Sequence, residues 1–272
     1  MYGAILGDMI GAPYEFGRGN KTTKFPLFSA MSQFTDDTVM TIAVAEALLD
    51  AREAGAEVWS DDDAMRALLT ASLRKWGRRY PDAGYGLKFG LWLEQPGADP
   101  YNSYGNGSVM RVSAAGWLAS DLAEARRLAR ISAEVTHNHP EGIKGAESVA
   151  SIIFLARQGA SKDELREMVA RDFGYDLSRT CDEVRPQYRH VESCQETVPE
   201  AITCFLEGAD FEEAVRLAVS LGGDADTLAC IAGSMAEAFC GVPEELRMEC
   251  RRRLDEKLLA VVDRFDAAVG RA

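Results

Sequence analysis

Phe34-Thr35-Asp36-Asp37-Thr38-Val39-Met40-Thr41-Ile42-Ala43-Val44 is the stretch on which the fold turns. Thr35 and the acids behind it are helix-start residues, because a hydroxyl caps free N–H groups and carboxylates suit the positive end of a helix. The apolar run from Val39 to Val44 marks that helix as buried, so the acids stand at the edge of a buried element rather than on a solvated face. Near the other end, Leu221-Gly222-Gly223-Asp224-Ala225-Asp226-Thr227-Leu228-Ala229-Cys230-Ile231 repeats the pattern. Either block alone reads as a helix cap. Together they bunch Asp and Thr oxygens with no His or Cys beside them, a donor set for Mg²⁺ or Mn²⁺ rather than zinc. Adjacent carboxylates repel unless a cation lies between them.

Working outward, helical periodicity dominates and no alternating strand segment stands out. Start signals recur at Ser60-Asp61-Asp62-Asp63, Ser161-x-x-Glu164, Thr197-x-x-Glu200 and Asp210-x-x-Glu213, so the Asp61 to Asp63 run is a cap and not a third metal cluster. Helices are expected over roughly 2–12, 37–54, 62–79, 85–95, 108–118, 121–135, 141–158, 162–172, 198–207, 211–221, 226–240 and 244–269. The chain is read as all-α, a compact single domain over 1–272. In the first helix Gly3, Gly7 and Gly11 recur at i, i+4, i+8, which strips side chains from one stripe and lets another helix approach closely. That helix is expected to be central. The Gly- and Pro-rich segment 81–107 is expected to line the site, and the irregular stretch 175–196 to be a surface loop.

Composition narrows the function. The 272 residues are 47% hydrophobic and 27% charged, the profile of a soluble globular protein. A formal net charge of −13 speaks against sequence-independent nucleic-acid binding, which needs a basic face. The six cysteines form no C-x-x-C pair and three fall in apolar helical patterns, so they read as core residues of a reduced, cytoplasmic protein. No run approaches the roughly 20 apolar residues of a membrane span. A monomer is favoured over an oligomer.

Three further groups carry chemistry. Glu15 follows the turn Gly11-Ala12-Pro13-Tyr14, and Asp8 lies within the glycine-striped helix; Glu15 is a candidate general acid or base. Asn102-Ser103-Tyr104-Gly105-Asn106-Gly107-Ser108 opens a helix with two glycines, leaving backbone N–H groups free to face an anion; the alternative is ordinary Asn-Gly turn chemistry. His137 and His139 form an H-x-H pair with no third ligand nearby, so hydrogen-bonding roles are expected for both, with substrate contact by one. His190 has no sequence context.

Taken in order, Gly7-Asp8-x-x-Gly11-Ala12-Pro13-Tyr14-Glu15, Phe34-Thr35-Asp36-Asp37-Thr38, Ser103-Tyr104-Gly105-Asn106-Gly107-Ser108, Thr136-His137-Asn138-His139 and Gly222-Gly223-Asp224-Ala225-Asp226-Thr227 resemble the ADP-ribosylglycohydrolase family, over nearly the whole chain. The resemblance implies an orthogonal all-α bundle with two Mg²⁺ or Mn²⁺ ions in a cleft. It implies Thr35, Asp36, Asp37, Asp224, Asp226 and Thr227 as the ligand set, with Asp226 as bridge. It implies Glu15 as an acid near the reacting ribose, and either Asp36 or Glu15 is expected to handle the proton. Ser103, Tyr104, Gly105, Asn106, Gly107 and His137 are implied as substrate contacts, Tyr104 stacking on the adenine. The expected activity is cleavage of the N- or O-glycosidic bond between ADP-ribose and an acceptor: arginine, serine or a small molecule. The rivals are a two-metal phosphoanhydride hydrolase acting on a nucleotide diphosphate, and a non-catalytic ADP-ribose-binding or structural protein on the same fold.

Overall fold

The computed structural model describes residues 1–17 and 21–270, and among them the regular elements are all helical. In chain order they are α1 (Tyr2–Gly11), α2 (Asp36–Ala54), α3 (Ala56–Ser60), α4 (Asp62–Arg79), α5 (Leu87–Glu94), α6 (Gly107–Met110), α7 (Ser113–Leu118) and α8 (Leu122–Glu134). There follow α9 (Pro140–Arg157), α10 (Lys162–Phe173), α11 (Cys181–Val184), α12 (Cys194–Glu207), α13 (Phe211–Leu221), α14 (Ala225–Cys240), α15 (Glu244–Arg253) and α16 (Glu256–Ala268). Ala12–Gly17 continues from α1 as short 3₁₀ turns kinked at Glu15 and Phe16.

The glycine stripe works as its spacing predicts. A Cβ on Gly3 or Gly7 would come within 2.1 Å of the carbonyl oxygen of Gly233 or Ala229, and one on Gly11 within 2.5 Å of that of Ala225. Small residues on α14 thus face small residues on α1 at the same spacing, and the two backbones touch. Every residue of α1 is buried. Around this pair, α14 packs on α9, α12 and α13, while α2 packs on α4, α7 and α16, and α8 pairs with α9. One continuous apolar core runs through them all.

Local capping chemistry places most helix starts. Asp61 accepts from the amides of Asp63 (2.9 Å) and Ala64 (3.2 Å), and Ser161 with Glu164 forms a reciprocal capping box. Asp210 accepts from the Glu213 amide at 2.9 Å.

Four expectations need correction. The helix expected over 108–118 is broken at Arg111 and Val112 into α6 and α7, because the Arg111 guanidinium turns inward to the Ser132 carbonyl and the Thr136 hydroxyl. The helix expected over 244–269 is two, since Asp255 caps α16 by accepting from the amides of Lys257 and Leu258. α12 begins at Cys194 and not near 198: its start is set by an isolated bridge between Gly105 and Ser193, and Thr197 is interior rather than a cap. The stretch 175–196 is not a surface loop. It contains α11, started by a Thr180–Glu183 capping box, and buries Tyr175, Leu177, Cys181 and Val184. Five of the six free cysteines are buried as expected, and Cys240 is exposed.

Candidate metal and active site

The first acidic block is held by an acid from another helix. Asp8 is completely buried on α1, and its carboxylate takes four hydrogen bonds from the start of α2. Oδ2 accepts from the amides of Thr35 (2.9 Å) and Thr38 (3.0 Å) and from the Thr38 hydroxyl, and Oδ1 accepts from the Thr35 hydroxyl (2.8 Å). Asp8 therefore does for α2 what an N-cap does, but from a distance of 27 residues. Thr35's own cap bond to Asp37 is long, 3.4 Å. With its proton given to Asp8, the Thr35 oxygen keeps a lone pair for another partner.

The second block rests on the sharp turn at Gly222 and Gly223, with φ of 74° and 73°, which a side chain disfavours. Asp224 occupies the N-cap position of α14 but makes no cap hydrogen bond; its Oδ2 instead accepts from Asn106 Nδ2 at 2.6 Å. The bland cap reading fails here. Asp226 lies in the first turn, and the Thr227 hydroxyl donates to Asp37 Oδ2 at 3.2 Å, so the two blocks meet. Because α1 lies flush on α14, Glu15 arrives beside them. One carboxylate oxygen each of Glu15, Asp224 and Asp226 falls within 4.8 Å of the others. Phe16 holds this turn, with a positive φ of 56° unusual for a residue with a side chain and its amide donating to the Gly223 carbonyl at 3.0 Å.

The acids are crowded, and Asp8, Asp37, Asp224 and Asp226 are buried. Burial pushes Asp36 up to about 8, reinforced by the charges of Asp8, Asp224 and Glu15. Burial and the neighbouring acids also raise Asp37 and Asp226 well above the usual carboxylate range. No salt bridge among the described residues involves Asp36, Asp37 or Asp226. Asp37 Oδ1 is buried with no hydrogen-bond partner. A hard divalent cation fits this donor set: oxygens only, an orphaned carboxylate oxygen, and two threonine hydroxyls whose protons point at acids and whose lone pairs remain.

On the other side of Asp224 lies the 103–108 loop. Asn106 is buried, bonded to Asp224 and to the Thr197 hydroxyl (3.2 Å), and its amide donates to the Glu192 carbonyl at 2.7 Å. The Ser103 hydroxyl accepts from the Gly105 amide at 3.1 Å. The faces of Gly105 and Gly107 look at His137: a Cβ on Gly107 would lie 3.1 Å from His137 Nε2. Tyr104 is 52% exposed and edge-on to His139, a ring available at the rim. His139 itself caps α9 through the Glu141 amide, a hydrogen-bonding role as expected.

The structure also brings in residues the sequence reading missed. Asp8 is one. Tyr85 presents a buried, unpartnered hydroxyl close enough to Asp36 for burial and that charge to raise it, and Tyr188 lies beside Asp224, its phenol raised chiefly by burial. His190 acquires a context, with its ring 5.0 Å from Phe16 and bonded to Glu192. The tyrosines and His190 have no sequence signature, because each reaches the site through segment 175–196 or 81–85, which carry no periodic pattern.

The fold and the site together define an all-helical protein with an oxygen-rich acidic cluster assembled from both ends of the chain. The profile of the ADP-ribosylglycohydrolase family matches residues 1–271, and the chain belongs to that family. ADP-ribosylhydrolase ARH3 of Mus musculus is 29% identical, the match covering 95% of this chain and 88% of the mouse protein. ADP-ribosylarginine hydrolase Tri1 of Pseudomonas putida (strain GB-1) is 24% identical, covering 89% of this chain and 70% of the bacterial one. A solved structure described as an ADP-ribosylglycohydrolase-related protein complex superposes with a TM-score of 0.69 at 26% identity, over 98% of this chain and 97% of the other.

Proposed function

We propose that the chain is a metal-dependent hydrolase that cleaves the glycosidic bond between ADP-ribose and an acceptor, a protein side chain such as arginine or serine or a small molecule. The observation that carries this reading is the convergence of Glu15, Asp224 and Asp226 within 4.8 Å, against a second acidic block at the start of α2, in a chain of this family. Thr35, Asp36, Asp37, Asp224, Asp226 and Thr227 would hold two Mg²⁺ or Mn²⁺ ions. Such ions orient vicinal ribose hydroxyls and make a bound water more acidic.

The chain's own residues do the rest. Asp8 takes the Thr35 proton and so would leave that oxygen's lone pair for a bound ion, and Asn106 fixes the Asp224 carboxylate. Glu15, at the mouth of the cluster, or Asp36 takes the proton as water attacks the anomeric carbon. The bond from that carbon to the acceptor breaks through an oxocarbenium-like transition state, and the acceptor leaves with a proton. Ser103, Gly105, Asn106, Gly107 and His137 contact the diphosphate and ribose, and the exposed ring of Tyr104 stacks on the adenine. We further place the protein in the cytoplasm as a single-domain monomer, a reading supported by its free, mostly buried cysteines. No helix among the described residues is long and apolar enough to cross a membrane.

The test is release of ADP-ribose from arginine-linked, serine-linked and small-molecule conjugates with and without Mg²⁺ or Mn²⁺, with products identified by mass spectrometry. Metal-dependent appearance of intact ADP-ribose is expected. Release of AMP or ribose phosphate establishes the phosphoanhydride reading instead, and absence of both reaction and metal binding establishes the non-catalytic one.

A further inference from the structure

We propose that Arg111 and Thr136 are positioning residues which hold His137 as the neutral tautomer protonated on Nε2, so that its ring donates a hydrogen bond to an anionic substrate oxygen lodged beside Gly105 and Gly107. The proposal rests on the ADP-ribose reading for the identity of that oxygen, a diphosphate oxygen, and goes beyond it in assigning a direction to each hydrogen bond behind the histidine.

Arg111 is only 1% exposed and forms no ion pair among the described residues. A buried guanidinium without a carboxylate is costly and calls for a compensating role. A guanidinium can only donate, and Nη2 donates to the Ser132 carbonyl at 2.8 Å and to the Thr136 hydroxyl oxygen at 2.7 Å. The Tyr101 ring stands edge-on to His137, centroids 5.6 Å apart, and closes the other side of the imidazole. With the Arg111 guanidinium donating to its oxygen, the Thr136 hydroxyl is polarised to give its own hydrogen. The atom waiting for it is His137 Nδ1, 2.7 Å away. An Nδ1 that accepts puts the ring's proton on Nε2.

The charge state agrees. Burial, with the Arg111 charge adding to it, holds His137 well below its ordinary range, so the ring is a neutral imidazole and one nitrogen alone carries hydrogen. Nε2 faces the two glycines: a Cβ on Gly107 would stand 3.1 Å from it and one on Gly105 3.6 Å. The missing side chains keep the space in front of the N–H open. Asn106, between these glycines, is bonded to Asp224, so a group seated there lies next to the acidic cluster. The relay also gives the break between α6 and α7 a purpose, since Arg111, whose inward contacts interrupt the helix, sits at that break.

The tautomer is measured directly by long-range ¹⁵N–¹H correlation spectra of the histidine rings in the full chain. Wild-type His137 is expected to show protonated Nε2 and lone-pair Nδ1. In Thr136→Val the pattern collapses to a mixture, ADP-ribose affinity falls by about five- to tenfold, the scale of one net hydrogen bond, and Mn²⁺ affinity is unchanged. Thr136→Ser restores the tautomer and the affinity. A wild-type ring protonated on Nδ1 overturns the proposal without any variant having to fold. A tautomer that shifts in Thr136→Val while ADP-ribose affinity stays put overturns the substrate contact. The expected tautomer in a wild-type protein that does not bind ADP-ribose contradicts the proposed function and leaves the relay itself intact.

Discussion

Replacing Asp8 by asparagine keeps the shape of the side chain and tests whether this buried acid sets the geometry of the site. Three donors converge on Oδ2, from the Thr35 amide, the Thr38 amide and the Thr38 hydroxyl, and one on Oδ1, from the Thr35 hydroxyl at 2.8 Å. In Asp8→Asn the side-chain amide oxygen must take the Oδ2 position, because two of the three donors are backbone N–H groups that cannot reverse. Those bonds survive but lose charge assistance, roughly 0.5–1 kcal/mol apiece, so a loss of about 2 kcal/mol in unfolding free energy is expected. The amide NH₂ then faces the Thr35 hydroxyl, which must turn to accept. Its proton swings toward the acidic cluster and its lone pair is withdrawn from any cation there. Metal affinity should fall by about 10- to 100-fold, the usual effect of removing the group that orients a ligand. Urea denaturation of the metal-free protein reads the first effect and calorimetric titration with Mn²⁺ the second. Wild-type Mn²⁺ affinity in a variant destabilised as expected would refute the orienting role; unaltered stability would refute the hydrogen-bond assignment itself.

Asp226→Asn should abolish turnover with the far-ultraviolet circular dichroism unchanged, since it removes a charge from the centre of the cluster without changing volume; wild-type turnover at saturating Mg²⁺ rules out Asp226 as a shared ligand. Gly7→Ala places a methyl 2.1 Å from the Ala229 carbonyl oxygen, so α1 and α14 must part, at a cost of about 3 kcal/mol or more by thermal denaturation and with loss of metal binding as well. Chelation should lower the melting temperature, and by more as pH rises. Asp36, Asp37 and Asp226 are raised above their unfolded values, so in the metal-free protein their contribution is fully present below the unfolded carboxylate range, near pH 4, and is lost as pH climbs through the folded value, about 8 for Asp36. A gap between metal-loaded and metal-free melting temperatures that is flat from pH 5 to 8 would show the acids to be compensated some other way. Gly107→Val presses on His137 and should weaken ADP-ribose binding by roughly 1–3 kcal/mol while sparing Mn²⁺, a pairing that separate titrations decide.

What the sequence discloses and what it conceals follow from the range of the forces involved. The glycine stripe on α1 and the caps at Asp61, Ser161 and Asp210 are legible because each is written in residues three or four apart. The two acidic blocks are legible because each bunches its oxygens locally, and the resemblance they carry places Glu15 with them. The break at Arg111 is hidden, since it depends on partners 21 and 25 residues away, and so is the role of Asp8, whose partners lie 27 and 30 residues ahead. The start of α12 is hidden for the same reason, being set by Gly105 from a different part of the chain. Yet the local and the distant are joined at one point. Gly11, the last glycine of the stripe, has no side chain because one would lie 2.5 Å from the Cα of Asp226. The residue that lets α1 lie flush on α14 is thus the residue that lets Glu15 reach Asp224 and Asp226. A substitution there cannot disturb packing without disturbing the site, and the spacing that reveals the fold is also what assembles the chemistry.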